Sequence, residues 1–187
     1  PTVNSFISER VVRSLYGFTT IGYKDMLYLD FSLRNDWSST LPVENNSYRY
    51  PSVSTSFIFS ELWGQSDIFS YGKLRLSFAQ TGADIGAYQT NFTYNAGTPY
   101  GSTSAFSLPN TLVNENLRPA LSSAYEAGVD LRFFNNRVGA DITVYQQVNI
   151  DQILPLTVPG SSGFTTAIVN AGNITSQGIE VAISATP

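Results

Sequence analysis

Charged side chains recur on one parity inside otherwise apolar stretches of this chain. Asp30 and Arg34 do so, as do Lys73 with Arg75, Glu126 with Asp130 and Arg132, Asp141, and Glu180. Two carboxylates about 5–9.5 Å apart would suit acid–base cleavage of a glycosidic bond, and neighbours on adjacent strands meet that spacing by accident. The same residues suit a second role, charge ladders along a wet wall in which the carboxylates face Lys73, Arg75, Arg132 and Arg137. The composition removes most other catalytic chemistry. There is no His and no Cys, so His-based triads, thiol nucleophiles and the commonest zinc ligands are excluded. Asp84 with nearby carbonyls is a candidate oxygen set for calcium, but its spacing matches no ligand loop. The chain is therefore expected to be no enzyme and to hold no metal and no cofactor.

The elements that must position these charges are two-faced. From Leu27 to Arg34, Leu27, Leu29, Phe31 and Leu33 fall on one parity and Tyr28, Asp30, Ser32 and Arg34 on the other. Strand side chains point to opposite faces with period two, so each such segment predicts a strand with one apolar and one polar row. The pattern returns in Pro51–Ser60, Gly72–Gln80, Ser123–Phe134, from Val138 to Tyr145, and from about Gln177. Val11–Tyr23 is a further strand whose parity the sequence leaves open, because Tyr16 and Phe18 oppose Leu15, Thr19, Ile21 and Tyr23. Lys24-Asp25, the segment Glu61–Tyr71 and Asn135-Asn136 read as shorter connections. Asn35–Tyr50, Thr81–Leu121 and Leu154–Asn173 read as longer loops. Short and long connections alternate, as they must in a meander whose alternate connections lie at the same end.

Two solvents could face the apolar rows, a protein core or lipid. Only 13% of the 187 residues are charged, about half the ~25% usual in soluble domains. Mean hydropathy is -0.04, and no apolar run reaches the roughly 18 residues of a membrane helix. Weak average hydropathy with strong alternation is the pattern of a transmembrane β-barrel, half of each strand facing a polar lumen. Aromatics at the strand ends point the same way: Tyr23, Tyr28, Trp63, Phe69, Tyr71, Phe133 and Phe134 by the short turns, Trp37, Tyr48 and Tyr50 by the long loops. A soluble β-sandwich would use the apolar rows as its core instead. The net charge of -4 argues against nucleic acid as a partner. Roughly seven strands would leave two unpaired edges in hydrocarbon, so the segment is expected to be part of a larger barrel.

The uncharged loops carry the candidate ligand surface. Residues 85–114 contain no charge but hold Tyr88, Asn91, Tyr94 and Tyr100 among Gly, Ser and Thr. Rigid aromatic area beside adaptable hydrogen bonding is the mixture of binding loops. Trp37, Tyr88, Asn91, Tyr94 and Tyr100 are thus candidate substrate-binding residues, for oligosaccharides or peptides. The alternative is that they pack on neighbouring loops or a partner protein. The polar wall facing the lumen is expected to comprise Asp30, Arg34, Lys73, Arg75, Glu126, Asp130, Arg132, Asp141 and Glu180.

Three blocks stand out in order, Leu33-Arg34-Asn35-Asp36-Trp37-Ser38-Ser39, Tyr50-Pro51-Ser52-Val53-Ser54 and Tyr71-Gly72-Lys73-Leu74-Arg75-Leu76-Ser77-Phe78-Ala79-Gln80-Thr81-Gly82. They resemble successive blocks of the SusC/RagA family of TonB-linked outer-membrane transporters. Asn116-Leu117-Arg118-Pro119, Glu126 to Arg137, Asp151-Gln152-Ile153-Leu154, Ser162-Gly163, Asn170-Ala171-Gly172 and Gly178-Ile179-Glu180 follow in the family's order. Trp37 stands where the family usually has Gly, and Ser176-Gln177 where Asn-Lys is common. The resemblance implies an all-β, antiparallel up-and-down transmembrane barrel of about 22 strands closed by a plug, the size class of plugged outer-membrane transporters. Residues 1–187 would belong to its single barrel domain. The plug and TonB box would lie upstream of Pro1 and the closing strand beyond Pro187. It also implies location in the bacterial outer membrane, in contact with lipid, and a SusD-like surface lipoprotein as partner. Energy would come from TonB with ExbB and ExbD, for import of oligosaccharides or oligopeptides. A soluble carbohydrate-binding sandwich and a passive porin-type barrel are the competing readings.

Overall fold

The computed structural model describes residues 7–63, 66 and 68–186. Part of the predicted turn after Glu61, residues 64, 65 and 67, lies outside them, as do Pro1 and Pro187, where an upstream plug and a closing strand would join. The strands in chain order are β1 (Val12–Tyr23), β2 (Leu27–Ser38), β3 (Ser47–Phe57), β4 (Phe69–Ala83), β5 (Asn95–Ala96), β6 (Phe106–Ser107), β7 (Thr111–Leu112), β8 (Ala120–Phe133), β9 (Val138–Ile150), β10 (Ile153–Thr157), β11 (Thr166–Asn170) and β12 (Ile174–Ala185). One antiparallel sheet of seven strands dominates, in the order β1-β2-β3-β4-β8-β9-β12. Each long strand thus pairs with the next long strand along the chain, which is the expected meander. The small strands form separate sheets of two (β5-β6) and three (β10-β11-β7).

Turn chemistry sets the register. At the first turn the Met26 amide donates to the Tyr23 carbonyl at 3.1 Å, with Lys24 and Asp25 both at φ 51°. Two positive φ values make a primed turn, whose twist matches that of the flanking strands. The Arg137 amide closes on the Phe134 carbonyl at 3.2 Å, with Asn135 and Asn136 at φ 53° and 66°, as Asn tolerates. Between them the short helix α1 (Ser60–Trp63) caps the third short connection. Phe59, Phe69 and Phe133 pack there with ring centres 6.0 and 5.7 Å apart. A Cβ on Gly72 would come within 2.3 Å of the Phe59 ring, so that residue has a packing reason to be glycine.

Directly opposed residues in an antiparallel ladder share a face. The register therefore resolves the parity of β1: Tyr16 and Phe18 oppose Arg34 and Ser32, on the polar face, while Leu15 and Ile21 join Asn35 and Leu29 on the other. Leu29 then meets Thr55, Thr55 meets Leu76, Leu76 meets Ala127, and Ala127 meets Val144 and onward to Ile179. This apolar belt crosses the whole sheet. It is not covered: Phe31, Leu76 and Val144 are 46%, 45% and 43% exposed. Among the described residues the buried apolar side chains, such as Leu41, Tyr48, Ile85, Leu117 and Ala167, lie at the long-loop end instead. A sandwich would bury the belt. An open belt is what lipid requires.

Three loop expectations and one aromatic expectation are corrected. The span Asn35–Tyr50 is strand at both ends and loop only over residues 39–46. The β4 strand runs on to Ala83 before the long loop, which holds β5, β6 and β7. The segment Leu154–Asn173 folds into the β10–β11 hairpin. Strands above the apolar belt need no alternation, since both faces meet polar surroundings there, and so their hydrophobic signal vanishes. Of the strand-end aromatics, Tyr23, Trp37 and Phe133 stand on the belt's face, but Tyr28, Tyr48, Tyr50 and Tyr71 share the polar face. One residue of parity moves a side chain to the opposite solvent.

Candidate functional site

The polar face collects every carboxylate carried by the seven long strands. Asp30 accepts hydrogen bonds from Thr20 on β1 at 2.7 Å and from Ser54 on β3 at 3.2 Å. Arg34 donates to Asp36 at 2.7 Å and to Ser14 at 3.1 Å. Asp130 on β8 lies opposite Lys73 on β4 and Asp141 on β9. Two facing aspartates repel, and each has its own arginine. Arg132 donates to Asp130 at 3.3 Å while its guanidinium lies 5.0 Å from the centre of the Tyr71 ring. Arg75 reaches across the whole of β8 to grip Asp141 with two bonds of 2.9 and 2.8 Å. Gly128 lies under that arm: a Cβ there would sit 2.9 Å from the Arg75 Nη2 and 3.0 Å from the Thr143 Oγ1. This explains a glycine in mid-strand, where packing normally disfavours one. Glu126 lies opposite Ser77 and Tyr145, and Glu180 opposite Thr143. Among the described residues neither has an ion pair, nor do Lys73 and Arg137. In place of a continuous ladder the face thus holds three arginine–aspartate pairs, Arg34–Asp36, Arg75–Asp141 and Arg132–Asp130, with other charges beside them that form no ion pair among the described residues. Along the long strands this face carries six carboxylates against four cations, so it offers hydrogen bonds on a net negative surface.

A polar latch closes the upper rim. Asp84, at the start of the long loop, accepts from Thr40 at 3.1 Å and from Arg10 Nε at 3.2 Å, and Ser38 also donates to it. The Asp84 side chain is nearly buried, with 6% of its surface exposed. The carboxylate proposed as a calcium ligand is therefore occupied by protein donors. Tyr48 and Tyr50 meet edge to face beside it, ring centres 5.2 Å apart.

The five candidate binding residues separate in space. Trp37 stands on the outer face, opposite Arg13 and Ser47. Tyr88, at φ 63°, and Asn91 line a concavity with Glu9, Thr40 and Val43. Tyr94 packs on Phe92 at 5.9 Å, and Phe92 on Phe164 of the other long loop at 6.2 Å. Tyr100 caps a hairpin arm made by β5 and β6. Its amide and carbonyl both bond Thr103 at 3.0 Å, Gly101 supplies φ 61°, and the residue is 90% exposed.

Sequence reasoning missed the knot that joins the loops. The Asn170 side chain accepts from the Arg118 amide at 2.9 Å and donates to the carbonyls of Arg118 at 2.7 Å and Asp151 at 2.9 Å. Arg118 pairs with the Asp151 carboxylate at 2.8 Å, and Leu117 beside it is fully buried. Above the knot, β11 pairs in parallel with β7. The blocks Asn116-Leu117-Arg118-Pro119 and Asn170-Ala171-Gly172 marked these positions without revealing that they meet.

Comparison with known proteins agrees with this geometry. A family model described as TonB dependent receptor-like, beta-barrel matches residues 1–186. TonB-dependent receptor P39 of Formosa agariphila is 28% identical over 192 residues, which is 100% of this chain and 18% of that protein. TonB-dependent receptor SusC of Bacteroides thetaiotaomicron is 25% identical over 193 residues, 98% of this chain and 19% of that one. A solved structure of the RagAB peptide transporter superposes with a TM-score of 0.86 at 26% identity, covering 95% of this chain and 20% of the matched chain. The chain therefore spans about a fifth of the length of the relatives it matches.

Proposed function

Because this chain belongs to the TonB-dependent receptor-like β-barrel family, and so to the bacterial outer membrane, we propose that it forms part of the wall and loop crown of a SusC-like importer of oligopeptides or oligosaccharides. One observation carries the reading: the sheet presents an uncovered apolar belt on one face and every strand carboxylate on the other, with the long connections gathered at one end. A wall of that kind separates lipid from a wet passage. The uncharged loops above it supply aromatic and amide surface for neutral ligands rich in hydroxyl or amide groups. The whole barrel would have about 22 strands, with a plug and TonB box supplied by segments outside residues 1–187. A SusD-like lipoprotein would sit over the loops, and TonB with ExbB and ExbD would drive release inward. The likeness to a peptide transporter supports testing oligopeptides first.

Uptake of fluorescent oligopeptides and oligosaccharides by cells carrying the full-length receptor tests this reading. Uptake should depend on the receptor and stop when a protonophore collapses the proton-motive force. Uptake that survives the protonophore would make the barrel a passive pore.

A further inference from the structure

The outer face of the seven long strands carries two charged side chains among the described residues, and both are arginines. Arg13 on β1 lies opposite Trp37, and Arg49 on β3 lies opposite Asn35, so both stand on the row of Leu29, Phe31 and Leu33. The six carboxylates of these strands, Asp30, Asp36, Glu126, Asp130, Asp141 and Glu180, all lie on the other face. Arg10, Arg34, Arg75, Arg118 and Arg132 each have an acidic partner; Arg13 and Arg49 have none among the described residues. The nearest acids are in the loops. Glu44 and Asp151 share a concavity with Arg49, but Asp151 is held by Arg118.

Height is as informative as charge. Leu27 to Leu33 spans about 20 Å along the strand at roughly 3.4 Å per residue, or about 15 Å of height at the roughly 40° tilt of such strands, so the ~25 Å apolar band ends between Asn35 and Trp37. Asn35 with Arg49, and then Trp37 with Arg13, follow immediately on the loop side. That is the head-group layer, where Trp is expected. Strand spacing puts the two arginine Cα atoms about 12 Å apart, with Trp37 and Asn35 between them. A guanidinium on a lipid-facing surface is costly unless it meets an anion, and for these two no acidic side chain among the described residues forms that pair. Guanidinium forks match phosphate oxygens in bidentate fashion.

We propose that Arg13 and Arg49, with Trp37 and Asn35 between them, form a binding site on the outer wall for a phosphate-bearing lipid head group of the outer leaflet. The site pins the lipid beside β1–β3, below the rim where Arg10 and Asp84 fasten the long loop.

The test uses the full-length receptor, purified in detergent and equilibrated with diphosphorylated lipid A, the retained copies being counted by native mass spectrometry. A juxtamembrane basic residue contributes roughly fivefold in affinity for anionic lipid, so the pair contributes on the order of thirtyfold. The R13Q/R49Q variant should lose retention by about that factor while keeping the heat-modifiable gel mobility of a folded barrel. R13K/R49K, which keeps the charge and loses the fork, should fall between the two. Dephosphorylated lipid A should bind the wild-type protein no better than the Gln variant. Equal retention by wild type and R13Q/R49Q would overturn the proposal. So would displacement of lipid A by millimolar inorganic phosphate, which would make this a site for free anions.

Discussion

At the scale of single residues, parity decides what a substitution costs. Leu29 and Ser32 are three apart and face opposite solvents. Leu29→Arg in the full-length barrel should destabilise it by about 2–4 kcal/mol, as for a cation near the bilayer midplane. Ser32→Arg, on the wet face, should cost well under half of that. Urea titration of refolding into lipid vesicles measures both, and equal costs would reverse the faces. Arg75 and Asp141 offer a second residue-level test. Their side chains are 33% and 37% exposed, so water screens the pair, and a double-mutant cycle should give a coupling of about 1 kcal/mol or less. Gly128→Val should erase that coupling without touching either charge, because its side chain would occupy the path of the Arg75 guanidinium.

At the scale of elements, the long loops form one tied unit with one projecting arm. Asn170 satisfies three backbone groups across a sequence separation of up to 52 residues. Asn170→Ala should leave the seven-stranded sheet intact and loosen the knot by about 1–2 kcal/mol, the cost of stranding such groups. Hydrogen exchange at β7 and β11 should then speed up roughly tenfold, with β8 and β9 unchanged. The β5–β6 arm tests the binding role of the loops. Replacing residues 95–107 by a short Gly-Ser link should preserve folding and weaken ligand binding, measured by titration calorimetry on the full-length receptor. Unchanged affinity would return Tyr100 to a role in packing against other proteins.

At the scale of the whole molecule, the sheet makes sense only between two solvents. Its apolar belt runs from Ile21 on β1 to Ile179 on β12, with Thr55 the one hydroxyl in that row, and among the described residues the buried side chains gather at the loop end rather than behind the belt. Seating that belt in hydrocarbon puts Trp37 at the head groups on the loop side. In vesicles containing lipids brominated near the carbonyl, part of the receptor's tryptophan fluorescence should be quenched, and Trp37→Phe should remove that share. Bromine at the acyl chain ends should quench it far less.

Much of this architecture is legible in the residue order because a strand's period of two needs no distant information. The rows of Leu27–Arg34, Ser123–Phe134 and Val138–Tyr145, the tight turns at Lys24-Asp25 and Asn135-Asn136, and the meander itself follow from local alternation and turn chemistry. That Asp30, Arg34, Lys73, Arg75, Glu126, Asp130, Arg132, Asp141 and Glu180 share one face was legible for the same reason, since each follows the parity of its strand. Tertiary structure alone decided which of those charges meet. Arg75 passes over Gly128 to a partner 66 residues away, Asp84 turns from a candidate metal ligand into a latch for Arg10, Ser38 and Thr40, and Asn170 joins two loops. Contacts between distant segments leave no periodic trace, because they depend on where the strands end and how the loops fold back. That Arg13 and Arg49 share the outer face and form no ion pair among the described residues emerged in the same way, from the register of three paired strands.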